Sequence, residues 1–118
     1  MHRIEHALQI LQPLLETHVP RAFRKDVTCV LQNFGSGETL GRLPGTRAGA
    51  AALQRVARGV NSTAYSALSA LYNLAICLEA RSPADADRAW ADAVECIGYA
   101  GASDADADRL EAMKGDAQ

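Results

Sequence analysis

The residues with the most overt chemical potential stand at the start of the chain. His2-Arg3-Ile4-Glu5-His6 follows an H-x-x-E-H pattern, in which two imidazoles one helical turn apart can hold zinc while the glutamate activates a metal-bound water. The surroundings argue against that chemistry. Both imidazoles fall on the helix face opposite its apolar stripe, and a catalytic ion would need a third ligand from a scaffold. The pattern reads as a solvated first turn, and neither a metal nor a cofactor is expected. Glycines 35, 37, 41 and 45 could suggest a phosphate-cradling loop, but they follow a helix where nucleotide fingerprints require a preceding strand, and no Gly-Lys-Ser/Thr is present. The remaining histidine, His18, has no spacing that ties it to a particular serine or to Cys29, Cys77 or Cys96. With no motif that specifies a reaction, the expectation is a protein that is not an enzyme.

Two charged faces remain as candidates. Arg21, Arg24 and Lys25 on one helix, and Arg47, Arg55 and Arg58 on another, could contact phosphates. The chain is acidic overall, however, with a pI near 5.9, and no aromatic residue is interleaved with these arginines. They read as solvated helix surface or as counter-charges for acids, and nucleic acid is not the expected partner. The second face carries Asp85, Asp92 and Glu95 with Tyr99 in line. Arg88 can pair with Asp85 and Asp92, which accounts for part of it. An exposed tyrosine amid carboxylates can also anchor a basic protein, because the ring supplies contact area while the charges steer encounter. Asp85, Asp92, Glu95 and Tyr99, with Asp104, Asp106 and Asp108, are the candidate partner-binding residues.

Helices must position these side chains. Helical periodicity recurs along almost the whole chain, and no segment alternates polar and apolar residues long enough to be a strand. The expected fold is all-α, a single compact bundle of five or six helices over residues 1–118. A first helix over 2–17 has Ile4, Ala7, Leu8, Leu11, Leu14 and Leu15 on one stripe, with Pro13 bending it from the solvent side. Pro20 opens a second helix with stripe Phe23, Val27, Val30, Leu31 and Phe34. Residues 35–45 read as a flexible glycine-rich loop. Thr46 can cap a third helix, with Gly49, Leu53, Val56, Ala57 and Val60 on its inner face and Arg47, Gln54, Arg55 and Arg58 outside. A fourth begins at Asn61 or Ser62, with Ala64, Ala67, Leu68, Leu71, Leu74, Ala75 and Leu78 on a broad apolar face extended by Tyr65, Tyr72 and Ile76. In the fifth, opened by Ser82-Pro83, Ala86, Ala89, Trp90, Ala93, Val94 and Ile97 point inward. Ser103, with Asp106 three residues on, starts a short sixth helix. The segment Ala84-Asp-Ala-Asp-Arg88 recurs as Ala105-Asp-Ala-Asp-Arg109, and reads as two helix starts whose acids complement the N-terminal dipole.

Composition sets the outer limits. A chain of 118 residues fits one domain. Its hydrophobic content of 48% is dominated by alanine, so thin helices should pack closely and leave no large cofactor cavity. The uncharged run Gly59–Leu78 is long enough to cross a membrane, but Asn61, Ser62, Thr63, Ser66, Ser69 and Asn73 would be costly in hydrocarbon. It reads as a buried central helix. The charged N-terminus does not read as a signal peptide, so a cytoplasmic protein is expected. Its three widely spaced cysteines should be reduced, and buried or inert. Charge is split along the chain: residues 1–59 carry eight Lys/Arg against four Asp/Glu, and residues 60–118 carry four against ten. Such asymmetry suits a charged partner.

Residues 71–94 resemble one tetratricopeptide-type helical hairpin. Leu71, Leu74, Ala75 and Leu78 match the small and apolar signature positions of its first helix, and Ala86, Trp90 and Ala93 those of the second. The resemblance implies a tightly packed antiparallel helix pair. In small size and acidic C-terminal half, the whole chain resembles bacterial immunity proteins in overall type. That resemblance implies a non-enzymatic protein that neutralises a cognate toxin, often a basic nuclease, with the acids above mimicking the toxin's nucleic-acid substrate. The alternatives are a helical adaptor or secretion chaperone that binds an extended peptide, a small nucleic-acid-binding regulator using the arginine faces, and self-association of the two oppositely charged halves as a homodimer.

Overall fold

A computed structural model of the chain describes residues 2–34, 46–59 and 61–116. Six helices carry them: α1 (His2–His18), α2 (Arg24–Phe34), α3 (Thr46–Ala57), α4 (Ser62–Glu79), α5 (Pro83–Tyr99) and α6 (Asp104–Glu111). A single 3-10 turn, Arg21–Phe23, precedes α2, and there is no strand among the described residues. The chain is therefore the all-α bundle that its periodicity implies. The 35–45 loop and Val60 lie outside the described residues, as do the side chains of His2, Thr46, Arg47, Val56 and Ala57.

The molecule measures 36 × 35 × 19 Å, and its short dimension is about two helix diameters. α4 is the centre of this two-layer slab and packs against α1, α3 and α5. Only three residues, Ala80–Ser82, separate α4 from α5, so the two run antiparallel, and their interface is the most extensive in the fold. Among the described residues, no helix is long and apolar enough to cross a membrane.

Because α4 is covered on several sides, each of its polar groups needs a local partner. Asn61 caps the helix, its Oδ1 accepting from the amides of Thr63 at 2.9 Å and Ala64 at 3.1 Å. Ser66 donates back to the Ser62 carbonyl. Buried Ser69 receives Gln54 Nε2 at 2.7 Å, and Asn73 Nδ2 donates to the Ser69 carbonyl at 3.0 Å. Gln54 is thus not on the solvent face assigned by periodicity. It leans across from α3 to satisfy the one buried serine of α4.

Geometry constrains Gly49 and Gly101. A Cβ on Gly49 would stand 2.9 Å from Val30 Cγ2, so its absence lets α3 approach α2. Gly101 has φ +107° and closes α5, its amide bonding to the Gly98 carbonyl and the Ala102 amide to the Ile97 carbonyl. This pair of bonds is the left-handed helix stop that favours glycine.

Among the described residues the core contains one charged side chain. Arg3, on the first turn of α1, is 1% exposed. Its Nη1 donates to Asp87 Oδ1 at 3.0 Å, its Nη2 approaches Cys77 Sγ at 3.7 Å, and its Cζ lies 5.1 Å from the centre of the Trp90 ring. Its Nε has no hydrogen-bond partner. Trp90 in turn donates from Nε1 to the Leu110 carbonyl of α6 at 2.9 Å. One cluster therefore ties together α1, α4, α5 and α6.

The asymmetry of exposure within this ion pair, 2% for the Arg3 side chain and 32% for Asp87, predicts an asymmetry in mutational cost. Asp87→Ala strands a buried guanidinium and should cost about 3 kcal/mol. Arg3→Met leaves a carboxylate that water can reach and should stay within about 1 kcal/mol of the parent. Urea unfolding followed by the fluorescence of Trp90, the only tryptophan, measures both, and equal losses would contradict this account. A second pair separates backbone from space. Gly101→Ala should cost about 1–2 kcal/mol through its left-handed backbone. Gly98→Ala, inside α5 with open space around its Cα, should gain about 0.5–1 kcal/mol.

Candidate functional site

The outer face of α5 is built from its first turn onward. Ser82 caps the helix by accepting from the Asp85 amide at 3.2 Å, with Pro83 in the first turn. Inward, Ala86, Ala89, Trp90, Ala93, Val94 and Ile97 are all buried, as their spacing implies. This fixes Asp85, Asp92, Glu95 and Tyr99 outward, and all four are exposed. At 100° per residue they fall within a stripe about 80° wide and about 21 Å long.

Tyr99 closes the stripe. It is 70% exposed and is the one exposed large hydrophobic residue among those described. Its hydroxyl donates to Glu95 Oε1 at 3.2 Å. That hydrogen bond, followed by the charge of Glu95, raises the phenol above its usual pKa. At the other end, Arg88 Nη1 lies 3.6 Å from Asp85 Oδ1, with both groups well exposed. Asp92 has no ion-pair partner among the described residues.

The α6 acids are positioned by a similar start. Ser103 accepts from the Asp106 amide at 3.2 Å, and Arg109 pairs with Asp106 at 3.5 Å. Asp104 and Asp108 are exposed and Asp106 is half-buried. Among the described residues no hydrogen bond or ion pair joins these acids to the α5 stripe. The stripe itself is the coherent unit.

The other candidates are distributed differently. Glu5 is exposed and His6 half-buried, and no group of three or more His, Cys, Asp or Glu converges to hold a metal among the described residues. His18 is half-buried, packed near the Gly101 stop, where a Cβ would lie 3.9 Å from its Nε2. Arg21, Arg24, Lys25, Arg55 and Arg58 are exposed, and Arg24 donates to the Glu16 carbonyl at 3.3 Å.

The cysteines are all free but not all buried: Cys77 is buried, Cys96 half-buried and Cys29 exposed. Cys29 is exposed because it lies outside the Val27, Val30 and Phe34 stripe that α2 turns inward. Cys96 receives the Asn73 amide at 3.9 Å. Burial raises its thiol above the ordinary value, and Glu95 and Asp92 raise it further.

No family model, curated protein or solved structure matches this chain.

Since a raised thiol pKa withholds the reactive thiolate until higher pH, iodoacetamide should label Cys29 first and Cys96 only as the solution becomes alkaline. Cys77 should react only on unfolding. Glu95→Gln should shift the Cys96 labelling profile to lower pH without changing that of Cys29. Peptide mass mapping across roughly pH 7 to 10 reads all three thiols at once.

Proposed function

We propose that the protein is a non-enzymatic binding module of the immunity type, acting in the cytoplasm to neutralise a basic toxin domain, of which a nuclease is the favoured class. The observation that carries this reading is Tyr99, 70% exposed and hydrogen-bonded to Glu95 at the end of an acidic stripe. Exposed tyrosines of this kind supply large contact area at little conformational cost, and binding energy concentrates on them. Asp85, Asp92 and Glu95 supply a field that steers a basic surface toward the ring. A nuclease that grips phosphates with lysines and arginines would meet carboxylates in their place. Asp104 and Asp108 extend the same charge beyond the Gly101 turn.

The test is capture by the tagged full chain from its native extract at low and moderate salt, with bound proteins and nucleic acids identified together. A single folded basic domain should be retained at near-stoichiometric amounts. The combined change Asp92→Asn, Glu95→Gln and Tyr99→Ala should weaken its binding about 30-fold or more. Capture of several unrelated extended clients would replace this reading with a peptide adaptor built on the α4/α5 pair. Nucleic acid alone would replace it with a regulator that uses the arginine faces.

A further inference from the structure

We draw no further inference here: the strongest candidate, the cavity of about 370 Å³ at the N-terminus of α5, lined by Arg3, Arg81, Asp87 and Asp116, carries nothing, because its charges balance, Arg3 is already paired with Asp87, and the unpartnered Arg3 Nε is closed off from solvent, which leaves no group aimed at a ligand.

Discussion

Four of the six helices meet around one buried cation. Arg3 enters the core from the first turn of α1 and meets Asp87 and Trp90 on α5 and Cys77 on α4, while Trp90 fastens α6 through the Leu110 carbonyl. A buried guanidinium loses hydration worth several kcal/mol, and one partly exposed carboxylate does not fully return it. The unpartnered Nε adds to the deficit. Such a pair contributes little net stability, and the costly change is removal of the acid alone, which leaves the cation buried without a partner. The cluster also joins the two oppositely charged halves of the chain. An arginine from the basic half is matched to an aspartate from the acidic half at the point where four helices meet.

Rigidity of the α5 face follows from the same arrangement. The helix is capped by Ser82 and stopped by Gly101, packed along its length on α4, and pinned near its middle by Trp90. Side chains on its outer face are therefore carried by a helix with little freedom to tilt. Preorganisation of that kind lowers the cost of ordering an interface, and it explains how a few exposed groups on a small alanine-rich bundle can form a defined surface.

Much of this was legible in the sequence because amphipathic helices declare their buried faces. The inward set of α5, the Ser82 and Ser103 helix starts, and the outward placing of Asp85, Asp92, Glu95 and Tyr99 follow from residue type and spacing, whereas the choice between Asn61 and Ser62 as the start of α4 needed the structure. What spacing could not show was where polar or charged groups turn inward for tertiary reasons. Arg3 lies one position before the apolar stripe of α1, and only the approach of Asp87 and Trp90 from a distant segment makes its burial tolerable. Gln54 shares its periodicity with the arginines of α3, yet it is half-buried and donates to Ser69, where an unpaired buried hydroxyl would be costly.

The repeated Ala-Asp-Ala-Asp-Arg segment shows how far local sequence reaches and where it stops. At both copies a serine caps the helix through the amide of the first aspartate, and the arginine pairs with that aspartate three residues away, at 3.6 Å in α5 and 3.5 Å in α6. These features are decided within one turn, so identical residues give identical geometry. The second aspartate has two fates. Asp87 bends toward Arg3 and becomes part of the core cluster, whereas Asp108 stays exposed on α6. Nothing within the five residues distinguishes them. The difference is made by what lies across the helix: α5 faces the buried guanidinium of α1, while α6 buries Leu110 alone among its eight residues. A charge in this fold is therefore available to a partner when no other helix has claimed it, and on α5 the claimed acid is Asp87 while Asp92 and Glu95 are left facing out.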